Sequence, residues 1–229
     1  MIKSGFAEKV PSTEVEVCGE ANPNHSQGRL WYIPHHGVYH PKKPKIRVVF
    51  DCSAEYQNES LDKHLLQGPD LTNNLEGVLC RFRKEPVALM CDIERMFHQV
   101  RLTERDRDLL RFLRWEDDDP ANELTEFRMH LFGAVSSPAC TNYALKMAAN
   151  DNEKDLGSEA ESFIHRDFYV DDGLKSVESV SDAVALIKDP KEICRRGGFI
   201  SYISSPQAIT KLLKPYLLKT ELKAFSTLI

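Results

Sequence analysis

The sequence predicts an α+β fold, with helices packed on one face of a mainly antiparallel sheet. Three observations predict it. Val87–Ile93 (VALMCDI) is a near-continuous apolar run after Pro86, the mark of a buried strand. Two further runs, Phe163–Val170 and Gly173–Val177, bracket Asp171-Asp172 as strands around a tight turn. From Asp92 onward the order reads strand, hairpin, helix, β-hairpin, helix, strand.

In chain order, residues 1–28 are polar, with Pro11, Asn22, Pro23 and Asn24, and are expected to form a loosely ordered lead-in. Arg29–Ile33 and Ile46–Asp51 are β-branched and aromatic runs, read as strands joined by the basic loop His40–Arg47. Leu71, Leu75, Val78, Leu79 and Phe82 recur at helical spacing and predict a helix over Thr72–Arg83. Leu109–Trp115 and Glu126–Leu131 flank the acidic run Glu116–Glu123 and predict an antiparallel hairpin. Ser136, Ser137 and Pro138 give a hydroxyl cap and a first-turn proline to a helix reaching about Ala149. Asp151–Glu161 reads as a solvated acidic loop. Ser179 and Asp182 have capping-box spacing, and Val180, Val184 and Ile187 give the next helix an apolar face. Gly197-Gly198 end that helix before a strand at Phe199–Ile203. Pro190 falls inside it, where a proline costs about 3 kcal/mol or forces a kink.

With 229 residues, 41% apolar and 28% charged, the composition is that of a globular protein with one large or two small domains. Lys and Arg total 30 against 35 for Asp and Glu, a net charge of −5. That balance excludes a protein that coats nucleic acid by bulk charge, though not an enzyme that confines basic blocks such as His40–Arg47 and Arg81–Lys84 to a groove. Cys18, Cys52, Cys80, Cys91, Cys140 and Cys194 form no CxxC pair and read as reduced, mostly buried thiols. His35, His36 and His40 have no Cys or Glu at ligand spacing and read as structural. The N-terminal segment lacks a signal peptide's apolar stretch, and no run is long enough to span a bilayer, so a soluble intracellular protein is expected.

The chemistry points to three carboxylates. Asp92 ends a buried strand, and Asp171-Asp172 occupy a hairpin turn. A DDG turn taken alone is ordinary turn chemistry. Asp92, on a strand able to pair beside that hairpin, changes the reading. Carboxylates that converge without a basic partner repel one another unless a cation neutralises them. Hard divalent ions such as Mg²⁺ take such oxygen ligands and keep positions open for phosphates. Two of them, about 4 Å apart, can clamp the attacking and leaving oxygens of an in-line displacement at phosphorus.

These residues carry a resemblance. FYVDD (Phe168–Asp172) resembles the YxDD box of reverse transcriptases, and CDIERMFHQV (Cys91–Val100) the block that holds their first catalytic Asp. LFGAVSSPACTNYAL (Leu131–Leu145) is similar to the loop-helix beside template and nucleotide, and PKIRVVFDCSA (Pro44–Ala54) to the fingers segment whose Arg contacts the triphosphate. With YIPHHGVYHP and SLDKHLLQGPDLTNNL, the wording resembles most the BEL/Pao class of long-terminal-repeat retrotransposons, from about Gly28 to Phe199.

The resemblance implies a fingers-and-palm fold with an antiparallel palm sheet packed on helices and a thumb absent or vestigial. It divides the chain into lead-in (1–28), fingers (29–67 and 101–134), palm (68–100 and 135–205) and a tail or start of thumb (206–229). Asp92 and Asp171 would ligate two Mg²⁺ or Mn²⁺ ions, Asp172 would support them, and the Ile93 carbonyl would add an oxygen. Arg47 would bind the triphosphate, with one of Lys42, Lys43 or Lys45. Phe97 would pack under the sugar and exclude a 2′-hydroxyl, the alternative being a core aromatic. Phe132 and Gly133 would line the nucleotide pocket, Ser137 and Pro138 would start the helix beneath the template, and Tyr169 and Val170 would lie near the primer terminus. For Val170, a plain strand residue is the alternative. The implied reaction is template-directed addition of deoxynucleoside triphosphates to a primer held on RNA or DNA. The implied setting is a cytoplasmic retroelement particle, or the nucleus, without the remaining polyprotein parts (thumb, RNase H, integrase).

Two features depart from the pattern. Phe127–Phe132 is about two residues shorter than the corresponding strand of the family, and Pro190 interrupts a helix. Both suit the rival expectation, a non-catalytic or domesticated remnant that keeps the fold and grips nucleic acid.

Overall fold

The computed structural model describes residues 2, 5–11, 30–41, 43–116, 119–122, 124–129, 133–203 and 210–211. In chain order its elements begin with β1 (Ala7–Lys9), β2 (His35–His40), β3 (Lys43–Phe50), α1 (Leu61–His64), α2 (Leu75–Phe82) and β4 (Val87–Ile93). They continue with β5 (Arg111–Trp115), β6 (Leu124–Met129), α3 (Ser137–Leu156), α4 (Ser158–Asp167), β7 (Phe168–Tyr169) and β8 (Asp172–Val177). Last come α5 (Val180–Arg196), β9 (Ser201–Ile203) and β10 (Thr210–Lys211). The chain forms two compact units, Met1–Asp70 with Phe97–Thr141 and Leu71–Met96 with Asn142–Ile229. Among the described residues no helix is long and apolar enough to cross a membrane.

The first unit holds the antiparallel sheet β1–β6–β5 and the separate ribbon β2–β3. Its core is aromatic: Phe50 meets Phe112 edge-on at 5.1 Å, and Phe112 stacks on Phe127 at 5.7 Å. Arg111 is fully buried, with Asp108 and Glu126 at 2.9 and 2.7 Å from its guanidinium nitrogens. Two expectations are corrected here. The polar lead-in contains β1, which pairs with β6 and buries Phe6, Ala7 and Val10, an apolar set too short to show a period. The described part of Arg29–Ile33, from Leu30 on, is not the partner of β3. Tyr32 makes only an isolated parallel bridge to Arg111, and β3 pairs instead with His35–His40. Lys43–Arg47 of the basic block is therefore strand, because only two residues separate β2 from β3. Gly37 makes that pairing close, since a Cβ there would stand 2.8 Å from Ile46 Cγ2.

In the second unit, β4 is flanked by β8 on one side and by β9 and β10 on the other, with β7 at the edge beyond β8. Helices cover both faces of this sheet, not one. Ala88 and Leu174 join Val78 and Phe82 of α2, whereas Val87, Leu89 and Val177 join Ala183 and Leu186 of α5. A strand buried on both sides reads as a continuous apolar run, which VALMCDI is.

α2 starts at Leu75, not Thr72, because Asn74 caps it by accepting from Gly77 N–H at 3.1 Å. The acidic stretch 151–161 is no loop: it ends α3 and, past Gly157 at φ 89°, opens α4. Ala160, Phe163, Ile164 and Asp167 form the buried face of α4, so Phe163–Asp167 is helix and the strand is only Phe168–Tyr169. α5 keeps its Ser179 cap, but its buried face is Ala183, Leu186, Pro190, Ile193 and Cys194. Val180 and Val184 are 55% and 42% exposed. The helix runs unbroken through Pro190, whose ring lies on the packed face, so tertiary contacts hold the turn whose hydrogen bond it forfeits. Gly198, at φ 81°, ends α5 in a Schellman motif, with Phe199 N–H donating to Cys194 O at 2.7 Å and Gly198 N–H to Arg195 O at 3.2 Å. The following strand starts at Ser201, not Phe199. Among the described residues Cys52, Cys91 and Cys194 are buried, and Cys80 and Cys140 exposed.

Candidate active site

Asp92 of β4 stands directly opposite Asp172 of β8. The Ile93 N–H donates to Asp171 O at 3.0 Å, making the neighbouring pair hydrogen-bonded. Asp92 and Asp172 therefore occupy a non-hydrogen-bonded position, where Cα atoms approach to about 4.5 Å and side chains share a face. That face is the α2 side. α2 covers it at Ala88, and it opens at Met90, which is 37% exposed, just before Asp92.

Asp171 sits in the turn. Tyr169 pairs with Asp172, leaving Val170 and Asp171 as a two-residue loop. Val170 is not a strand residue: its φ is +56°, a conformation that a β-branched side chain rarely adopts and glycine usually supplies. Strain of this kind concentrates at functional sites. Gly173 next door is required by close approach. A Cβ there would overlap Cys91 Sγ and stand 2.8 Å from the Phe168 ring.

The electrostatics are those of like charges held together. Burial, then the charges of Asp171 and Asp92, push the Asp172 carboxyl up to about 6. Asp92 is raised by burial, then by Asp171 and Glu94, and Asp171 is raised by burial. Among the described residues no Lys, Arg or His is paired with any of the three. Nor are three His, Cys, Asp or Glu side chains already gathered around one point as a closed metal cage would gather them. The donor set is all oxygen, partly desolvated and short of positive charge, which fits a hard divalent cation.

Of the other residues singled out from the sequence, Ile93 is buried at the end of β4 and Tyr169 lies half-buried opposite Asp172. Arg47, Phe97 and Gly133 belong to the first unit. Arg47 is exposed on β3 opposite Val38, and Phe97 is half-buried in a 3-10 turn, Met96–Gln99. Gly133, at φ +81°, lies so near β3 that a Cβ would come within 3.0 Å of Phe50 O. Ser137 is buried at the start of α3 and Pro138 exposed. Phe132 and Lys42, and the side chains of Lys43 and Lys45, lie outside the described residues.

Sequence reasoning missed Asp167, just before FYVDD. Buried, it takes Arg81 Nε at 2.8 Å and Lys175 Nζ at 3.1 Å, so the helix end behind the hairpin is charge-balanced where the hairpin itself is not. The signal was an acid at the i+7 position of the Ala160, Phe163, Ile164 pattern.

No protein-family model matches the sequence, and no curated protein matches it significantly. Solved structures do. A foamy viral protease-reverse transcriptase in complex with double-stranded DNA superposes with a TM-score of 0.60 at 18% identity, over 89% of this chain and 30% of that one. Native prototype foamy virus protease-reverse transcriptase gives 0.56 at 18%, over 88% and 22%. A further complex with double-stranded DNA gives 0.55 at 17%, over 99% and 45%, so the chain spans less than half of each. At these identities the likeness is one of fold: the chain has a mixed α+β architecture, antiparallel sheets packed on helices, similar to that of retroviral reverse transcriptase structures.

Proposed function

We propose that the chain performs template-directed nucleotidyl transfer, as the RNA-directed DNA polymerase domain of a BEL/Pao-type retrotransposon. The observation that carries this reading is the carboxylate trio, Asp92 across from Asp172 with Asp171 in the strained turn between strands, raised in pKa and unpaired by any described cation. Asp92 and Asp171, supported by Asp172 and the Ile93 carbonyl, would hold two Mg²⁺ or Mn²⁺ ions. When bound, such ions neutralise the trio, lower the pKa of a primer 3′-hydroxyl and stabilise departing pyrophosphate. Tyr169 would hold the primer terminus beside the acids. In this reading the first unit is the fingers and the second the palm. Arg47 would fork onto the triphosphate, Phe97 would meet the sugar, and Phe132 with Gly133 would flank the base.

The rival reading, a nucleic-acid-binding remnant, is favoured by one observation: the acids are not drawn around a single point. Pro190, the other feature cited for it, leaves α5 continuous. Primer extension on a homopolymer template, with and without Mg²⁺, decides between them. Metal-dependent extension that disappears in Asp171→Asn supports the polymerase. Binding of primer-template without extension in either protein supports the remnant.

A further inference from the structure

The segment Leu71–Asn74 (LTNN) has no part in the chemistry above, yet one of its side chains bonds the acid hairpin. Asn73 Nδ2 donates to His165 O at 2.9 Å and to Phe168 O at 2.7 Å. Both carbonyls need a partner. His165 is in the last turn of α4, where backbone oxygens have no intrahelical donor. Phe168 lies opposite Gly173, one step from the hydrogen-bonded pair Tyr169–Asp172 that closes the turn, so its carbonyl points away from β8. β7 is two residues long and, among the described strands, pairs only with β8. The side chain of Asn73 therefore does along the outer edge what a further strand would do.

The amide arrives from a fixed base. Lys146 Nζ donates to Leu71 O at 2.7 Å, and Asn74 caps α2. We infer that Asn73 is a positioning residue for the acid hairpin: by holding the α4–β7 junction it sets the direction in which Asp171 and Asp172 leave the strand. Its effect on catalysis rests on the polymerase reading; its effect on the hairpin does not.

The test uses the full chain with Asn73→Ala, and with Asn73→Asp, which keeps the size and removes both donors, should the alanine variant not fold. Loss of two hydrogen bonds should quicken amide exchange at Val170–Gly173 by about ten- to hundredfold, with β4 and α5 changed by less than about threefold. The rise in melting temperature on adding Mn²⁺ should fall to less than about half, because preorganised ligands lose less on binding. In extension assays kcat should drop by about tenfold or more while KM for the deoxynucleotide stays within about threefold, the pattern of misplaced reacting groups. Unchanged hairpin exchange, or an acceleration spread evenly over the whole unit, would overturn the inference. If the native chain shows neither a Mn²⁺ effect nor extension, but the variants still free the hairpin selectively, the anchoring stands and the polymerase reading alone falls.

Discussion

Each unit concentrates charge, and each does so differently. In the first, Arg111 is fully enclosed with an acid on either side, Asp108 and Glu126. In the second, exposed Asp92 and half-buried Asp171 and Asp172 lie near one another without closing on one point, with more negative charge, Glu94, for a neighbour. A satisfied buried charge belongs to the fold, whereas an unsatisfied cluster costs stability and persists where something outside the chain is meant to complete it. The same unit shows that this is not carelessness, since Asp167, a few residues away, is neutralised by Arg81 and Lys175.

The contrast can be broken at several points. The largest effect is expected from Asp171→Asn, which should lower primer extension roughly a thousandfold while leaving the melting temperature equal or higher. A matching fall in stability would show that Asp171 is structural. Next, Arg111→Met should cost about 3 kcal/mol in urea unfolding, because half-buried Glu126 loses its counter-charge and Asp108 keeps only Arg128, at 3.6 Å. A neutral result there would erase the distinction between the units.

pH gives the third comparison. Asp172 ionises near 3.8 in the unfolded chain and near 6 in the folded one, so its contribution is fully present below about 4 and is lost as pH rises to about 6. His35, lowered by burial, works in the opposite direction over part of that window. The informative quantity is therefore the difference between the native chain and Asp172→Asn across pH 4–7, without and with Mg²⁺. It should widen with pH and shrink when the ion is added. The smallest effect is the variant itself: at pH 7 without metal, Asp172→Asn should raise stability by about 1 kcal/mol, read from the urea midpoint. Destabilisation would mean that the carboxylate has a partner after all.

What could be read from the sequence follows the same physical divide. β4 was legible to the residue, because a strand covered on both faces leaves an uninterrupted apolar run closed by Pro86 and Asp92. The β5–β6 hairpin, the starts of α3 and α5 and the Gly197-Gly198 stop were legible from local turn and cap chemistry. α4 was not, because the polar His165–Asp167 splits Phe163–Val170 into two short apolar pieces, and such short pieces do not separate helix from strand. The face of α5 was misread because valines weigh more than Ala183 on any hydrophobicity scale, although it is the small residue that lets the helix close on the sheet. At the candidate site the three acids could be picked out by type. Val170's backbone strain and the reach of Asn73 could not, since both depend on partners dozens of residues away or on a dihedral angle.

The distribution of thiols has a practical consequence. Burial pushes the Cys52 thiol up to about 12 and the Cys194 thiol up to about 11, and raises Cys91 as well. Thiolate is the form that reacts with a maleimide, so these three should label slowly while the exposed Cys80 and Cys140 label fast. Cys80 belongs to one unit and Cys140 to the other. With Cys18 replaced by Ser, the native thiols thus offer two addressable dye positions, one on α2 and one in the first turn of α3.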